Sequence, residues 1–434
     1  MMSAVPMPSH RPEVPPSAAE SVLEHIGPGA DLIVPLANGE PVSLLDAIEQ
    51  HASTLTGVRV HQMHALHDRP YLHGAFGDRL RHVSYFLSHV TRPCFRAGTV
   101  DLVPNNFSEM RDILRLATTD PLVLAAASPP DRHGYFSLGL NADYVSSFIG
   151  RARFFLEANS QMPRTFGRNQ VHVSQVVGWT EVDSPLVEAP PVVPTPADQT
   201  IAAFVAERVP DGATLQVGIG GIPNAILASL SGHRDLGIHT ELISDGVMDL
   251  VEAGVVTGVA KQLNRTKTVG TFALGTRRLY DFLHENTALE LWPVRYVNDP
   301  RVIGNEADFV SINATIAVDL LGQCASETVA GAYYSSSGGQ ADFARGAMYS
   351  NGGQGFVVLH STAGDGSISK IVPQLAAGDV VTTLKNTVDK VVTEWGIAEL
   401  RGRSIRHRAA ALIAIADPAH RDQLRAAAHE LGYL

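Results

Sequence analysis

The sequence predicts an α/β protein of two related lobes, each carrying a mostly parallel sheet. Three observations carry that prediction. Apolar strand-like runs alternate with helical segments in both halves of the chain. A proline-rich stretch, Asp183–Gln199 (DSPLVEAPPVVPTPADQ), interrupts the alternation near the middle. The two halves also open alike: Ile26-Gly-Pro-Gly-Ala-Asp31 and Val209-Pro-Asp-Gly-Ala-Thr214 each lead into a strand, a loop and a helix. Strands that alternate with helices pair in parallel and place helices on both faces of the sheet. An approximate internal repeat marks two copies of a related unit.

In the first half, Asp31–Leu36 is an apolar run, and Asn38-Gly-Glu-Pro41 turns it into a helix over Ser43–His51. Val58–Met63, Leu122–Ala127 and Arg153–Ala158 read as further strands, the second of these ending in a Pro129-Pro130 turn. After the proline-rich stretch the rhythm restarts with a strand over Leu215–Gly218. A helix over Asn224–Leu230 follows, with Pro223 as its first residue, where a missing N–H has no partner to lose. Strand Ile238–Ile243, helix Val247–Ala253, strand Thr268–Ala273 and helix Arg277–Glu285 complete the pattern. The expected organisation is a disordered lead-in over 1–17, a first lobe over 18–183, an extended linker over 184–199 and a second lobe over 200–434.

A chain of 434 residues exceeds one ordinary hydrophobic core, which fits two lobes. The net charge of -11 argues against nucleic acid or an anionic membrane as a general partner. An anionic ligand would need backbone donors or a few placed cations. The two cysteines, Cys94 and Cys324, exclude a disulfide framework and a cysteine zinc site, and read as buried small residues. The histidines, His61-x-x-His64 among them, form no HExxH or similar set, so no metal is expected. No secretory h-region and no apolar run of membrane length occur, so a soluble cytoplasmic protein is expected.

The stretch richest in chemical meaning is Gly218-Ile-Gly-Gly-Ile-Pro223, followed by Glu241 in His239-Thr-Glu-Leu-Ile-Ser-Asp-Gly246. Glycines let a ligand approach the main chain, and a helix start offers unpaired N–H groups and partial positive charge. Three readings fit: a tight turn without a ligand, a dinucleotide fingerprint with Glu241 as its ribose acid, or a thioester cradle with Glu241 as nucleophile. Pro223 in the place of the third glycine argues against the dinucleotide. So does the apolar step Leu242-Ile243 after Glu241.

Several separated segments bear on that choice. They are Ser128-Pro-Pro-Asp-Arg-His-Gly-Tyr-Phe-Ser-Leu-Gly139, Gln161-Met-Pro-Arg-Thr-Phe-Gly167, the glycine loop, His239–Gly246, Tyr296-Val-Asn-Asp-Pro300, Gly338-Gly-Gln-Ala-Asp-Phe343 and Val392-Thr-Glu-Trp-Gly-Ile-Ala-Glu-Leu-Arg401. In order and spacing they resemble the acetyl-CoA hydrolase/transferase family, whose members include 4-hydroxybutyrate, butyrate and succinate CoA-transferases. The resemblance runs from about residue 26 to about residue 420. It implies two Rossmann-like lobes with the active site between them. It places the catalytic glutamate on Glu241, an active-site asparagine on Asn298 and an oxyanion-hole amide on Gly339. It places CoA contacts on Gly218, Ile219, Gly220, Gly221 and Ile222.

The implied activity is CoA transfer between short-chain carboxylic acids, with acetyl-CoA as donor, through a glutamyl-CoA thioester. CoA is then a substrate and not a permanently bound cofactor, and the protein a homodimer or larger homo-oligomer. Acyl-CoA hydrolysis by the same glutamate, or CoA binding with little turnover, are the alternatives. Three departures from the family pattern stand out. Gly364 occupies the place of a lysine that many relatives carry, Ala317 that of a glutamate, and Arg92–Val103 reads unusually. Asp131 and His133 read as turn residues, and Asp342 with Arg345 as a local pair. Lys370, Lys385 and Arg401 read as solvated cations.

Overall fold

The computed structural model describes residues 14–434. The first lobe is built on seven parallel strands: β1 (Asp31–Val34), β2 (Val58–Gln62), β3 (Leu80–Ser84), β4 (Val100–Leu102), β5 (Leu122–Ala127), β6 (Arg153–Asn159) and β7 (Val176–Val182), in the order β7-β6-β5-β1-β2-β3-β4. Every residue of β5 is buried, because helices cover both faces of a parallel sheet, and this is why it reads as an unbroken apolar run. The strand order reverses direction at β1, which places the natural ligand crevice beyond its carboxyl end.

The second lobe has six strands: β8 (Thr214–Val217), β9 (Gly237–Ile238), β10 (Phe309–Ala314), β11 (Gln354–Val358), β12 (Lys390–Thr393) and β13 (Gly396–Glu399). Their order is β9-β8-β10-β11-β12-β13, parallel except for the β12–β13 hairpin. Here the order reverses at β8, so the glycine loop leaves the sheet at the second lobe's own switch point. The helices that matter below are α1 (Val42–Gln50), α2 (Met110–Ala117), α3 (Pro196–Ala206), α4 (Gly221–Ser229), α5 (Val294–Val297) and α6 (Gln340–Tyr349).

The lobes are fastened together. The Gln161–Gly167 stretch of the first lobe ends in a short strand, Phe166–Gly167, that pairs in parallel with Leu289–Leu291 of the second. The second lobe's core also takes in Ala126, Leu140 and Met162 of the first. The connector between them is extended and held on both sides. Val187 exchanges hydrogen bonds of 2.9 Å with the Asn38 side chain, and its carbonyl also accepts the Tyr280 hydroxyl at 2.7 Å.

Four differences from the sequence expectations have local causes. The linker expected over 184–199 ends early, because α3 starts at Pro196. Thr195 and Asp198 form a capping box there, and proline at the first helical position starts a helix instead of breaking one. The helix after the glycine loop begins at Gly221, which makes Pro223 its third residue, still within the turn whose N–H groups have no intrahelical partner. The strand expected over Ile238–Ile243 is split, with β9 ending at Ile238 and a separate piece, Leu242–Ile243, pairing with Phe272–Ala273. Of the lead-in expected over 1–17, residues 1–13 lie outside the described residues. Beyond them, the Val14 carbonyl accepts the Trp179 indole N–H at 2.7 Å and Ser17 N–H donates to the Trp179 carbonyl at 2.9 Å.

Phe155 on β6 is fully buried in the first lobe's core with Leu32, Leu124 and Leu45. Phe155→Ala should cost about 3–5 kcal/mol through lost burial and the cavity left behind. A lowered thermal unfolding midpoint is the expected readout, and an unchanged midpoint would show that this core collapses to fill the space.

Candidate active site

The site is assembled where three backbone ends meet. The glycine loop leaves β8, and Gly220 there has φ +123° and ψ -178°, a conformation open essentially to glycine alone. Gly218 N–H donates to the Ile312 carbonyl within β10, at 3.2 Å. Ile219 exposes its side chain, while Ile222 turns into the core. Gly221 and Ile222 open α4, and their N–H groups have no intrahelical acceptor. The Thr240 hydroxyl lies 3.3 Å from both the N and the O of Val217. That contact ties the start of the loop to the residue before Glu241.

Glu241 occupies the break between β9 and Leu242–Ile243. Its carbonyl accepts the N–H groups of Thr271 and Phe272 at 3.0 and 3.1 Å. Its carboxylate accepts the Asn298 side-chain amide at 2.8 Å and the backbone N–H of Gly339. Asn298 is fully buried at the C-cap of α5, where its own N–H closes that helix on the Val294 carbonyl. Gly339 is the N-cap of α6, and its backbone lies against the carboxylate. A Cβ there would stand 2.0 Å from Glu241 Oε2 and 2.3 Å from Asn298 Nδ2, so no side chain fits.

The first lobe closes the other side. Phe107 N–H donates to the Gly338 carbonyl at 3.1 Å, and the Ser337 hydroxyl donates to the Asn105 carbonyl. Asp342, buried in the first turn of α6, accepts the Ser108 N–H at 3.0 Å and the Ser108 hydroxyl at 2.8 Å. Asp342 and Ser108 help line an interlobe cavity of about 620 Å³.

Two carboxyl groups, Glu241 and Asp342, lie close enough for the charge of one to act on the other. Burial pushes Glu241 up to about 7; the bonds from Asn298 and Gly339 oppose the rise, and the charge of Asp342 adds to it. Burial likewise pushes Asp342 up to about 7, opposed by Ser108 and Asn298 and aided by Glu109. Groups so placed titrate as a pair, and near neutral pH the pair keeps a proton that isolated carboxyls would have lost. The Asn298 side-chain oxygen is buried without a hydrogen-bond partner, an acceptor that a protonated carboxyl could satisfy.

Glu241, Asn298 and Gly339 thus lie within hydrogen-bond reach of one another, although they are far apart in sequence. Asp342 was expected to pair with Arg345, and it does not. It turns inward to Ser108, while Arg345 donates to the Tyr349 hydroxyl at 3.2 Å. Ser108 carried no sequence signal. Asp131 is a turn residue, accepting the N–H groups of His133 and Tyr135 at 2.9 Å and the Arg164 guanidinium at 2.9 Å. Gly364 sits in the turn between Thr362–Ala363 and Ile368–Ser369, and Ala317 in a short strand paired with Ala325. Arg92 reaches across to the second lobe, donating to the Tyr334 carbonyl at 2.6 Å and lying over its ring. Cys94 and Cys324 are both buried, and burial raises both thiols. Among the described residues no helix is long and apolar enough to cross a membrane.

Two α/β lobes meeting at a half-buried glutamate define the class: this is a protein of the CoA-transferase fold. RipA from Yersinia pestis superposes with a TM-score of 0.92 at 36% identity, covering 96% of this chain and 98% of that one. The family descriptions "Acetyl-CoA hydrolase/transferase N-terminal domain" and "C-terminal domain" match residues 17–195 and 275–428. The chain is 45% identical over 406 residues to a succinyl-CoA:cyclohexane-1-carboxylate CoA transferase of Geobacter metallireducens, covering 93% of this chain and 92% of the relative. It is 40% identical over 408 residues to a 4-hydroxybutyrate coenzyme A transferase of Clostridium kluyveri, covering 94% and 95%. The chain belongs to the acetyl-CoA hydrolase/transferase family and is an enzyme of that family.

The Gly339 contact makes a direct prediction. Gly339→Ala should push Glu241 off Asn298 and lower turnover by about 100-fold or more, as loss of a preorganised donor does. The unfolding midpoint should move little by comparison. Wild-type turnover in the alanine variant would show that the carboxylate is not held at this position during the reaction.

Proposed function

We propose that the protein is an acyl-CoA:carboxylate CoA-transferase, with acetyl-CoA as donor, in which Glu241 is the nucleophile and becomes the carrier of CoA. One observation carries the proposal: the Glu241 carboxylate is half-buried and held at 2.8 Å by Asn298, with Gly339 N–H beside it.

The chemistry balances without a proton. A Glu241 oxygen attacks the thioester carbonyl, the C–S bond breaks, and CoA leaves as thiolate from an acyl-glutamyl anhydride. The thiolate attacks the Glu241 carboxyl carbon, the anhydride C–O bond breaks, and the first acid leaves as carboxylate from a glutamyl-CoA thioester. A second carboxylate runs the sequence backwards, producing a new acyl-CoA and free Glu241. Splitting one hard exchange into short steps is the gain from covalent catalysis.

Oxyanion stabilisation follows from the same contacts. When thiolate adds to the glutamyl carbon, negative charge collects on a Glu241 oxygen. Asn298 and Gly339 already donate to that carboxylate, so the donors need no rearrangement; each such donor is worth about 3 kcal/mol. The N–H groups of Gly218, Ile219, Gly220, Gly221 and Ile222 would cradle the CoA chain alongside. Closure of the first lobe through Ser108 and Phe107 keeps water from the anhydride. Asp342 raises the basicity of Glu241 and so strengthens the nucleophile.

The decisive assay follows CoA thioester loss with and without an acceptor acid. Transfer predicts rapid loss only with the acceptor and equimolar new thioester. Equal loss in its absence would make the protein a hydrolase. Only ionised Glu241 can attack, and its carboxyl sits at about 7, so kcat/KM should fall about tenfold per pH unit below that point. Asp342 raises Glu241, so Asp342→Asn should move this acid limb to lower pH; an unmoved limb would exclude charge coupling between the two.

A further inference from the structure

Beside the site, and outside the reaction just described, lies a second cavity of about 640 Å³, within the usual range for small-molecule sites. Arg151, Arg168 and Arg295 line it. Among the described residues none of the three makes a side-chain hydrogen bond or an ion pair with a carboxylate. Behind them Arg111 is 92% buried by its 8% exposure, with Nε unpartnered and its nearest carboxylate, Asp112, at 3.6 Å. Burial lowers the Arg111 guanidinium below the ordinary arginine range, and the charges of Arg295 and Arg151 lower it further. The one carboxylate in the cavity wall, Asp299, is already engaged by Arg301 at 2.8 and 3.0 Å.

Converging guanidiniums repel one another, and this chain has a net charge of -11. No carboxylate bonds to the three lining arginines, and their exposed guanidiniums remain available to an anionic ligand. The wall is also prepared for hydrogen bonding. Ser146, 6% exposed, lines the cavity with its hydroxyl buried and unpartnered, as is the hydroxyl of Ser147 beside it. Trp292 and Tyr296 supply rings 4.7 Å apart. Their polar tips are tied to Glu290 and Asn264, and the Arg168 guanidinium lies over the Trp292 ring, 5.2 Å from its centroid.

We propose that this cavity binds the phosphates of a nucleotide, with the arginines on the phosphates and the buried Ser146 and Ser147 hydroxyls beside them. Guanidiniums match phosphate oxygens in charge and in fork geometry. The nucleotide is either the one carried by the CoA substrate or a free one, and only the first source rests on the CoA-transfer reading. Arg295 and Asp299 flank Asn298 in sequence, so occupancy bears directly on the helix end that holds Glu241.

The test is calorimetric titration of the full chain with ADP, for the wild type and for Arg151→Ala/Arg168→Ala. Both side chains are exposed and neither bonds to a carboxylate, so the variant should fold normally; a thermal melt checks this. The expected result is ADP binding to the wild type, weakened about tenfold or more in the variant. If CoA displaces ADP and the variant raises KM for the thioester at unchanged kcat, the nucleotide is that of the substrate. If CoA and ADP bind together, it is a free one. No ADP binding at millimolar concentration, or equal binding by the variant, overturns the proposal. Because the readout is binding, it stands apart from whether Glu241 carries CoA.

Discussion

The approach of the Gly339 backbone to the Glu241 carboxylate is the constraint on which the site depends. With a Cβ excluded at 2.0 Å, this contact exists only because a glycine ends the Ser335–Gly339 approach and α6 begins behind it. The start of α6 then offers its N–H groups and dipole to the carboxylate, and Asn298 completes the grip from the end of α5. Both helices are held by the first lobe, α6 through Phe107 on Gly338 and Ser108 on Asp342, and α5 through the Val294 N–H on the Asp143 carbonyl. A carboxylate placed this way belongs to neither lobe alone.

The same enclosure sets its acidity. A carboxylate in water is a poor nucleophile, partly because it is weakly basic and well hydrated. Removing water and setting Asp342 nearby raises its basicity, while two N–H donors stop it from becoming a permanently neutral acid. The outcome near 7 suits the proposed reaction, in which Glu241 must be basic enough to attack and ionised enough to do so.

The α/β alternation was legible because parallel strands buried on two faces leave apolar runs such as Leu122–Ala127, whereas the strand order, and with it both switch points, was not. The split at Glu241 was not legible: Ile238 and Leu242-Ile243 are apolar on both sides of a break made by pairing with Val269 and Phe272, which lie some thirty residues on. Glu241, Asn298 and Gly339 could be named only through ordered family motifs, since each alone reads as a cap or a turn. Asp342 stood in the Gly338–Phe343 motif but was assigned to a helical neighbour, because sequence spacing shows which residues share an element and not which lobe they face. Ser108 and the arginine cavity are purely tertiary, drawn from segments with no local pattern of their own.

Whether Glu241 itself carries CoA is decided most directly by mass spectrometry of the protein after incubation with acetyl-CoA and no acceptor acid. The account predicts a CoA adduct on the peptide containing Glu241, absent from Glu241→Ala. An adduct on another residue, or transfer proceeding with unmodified Glu241 throughout, would contradict it.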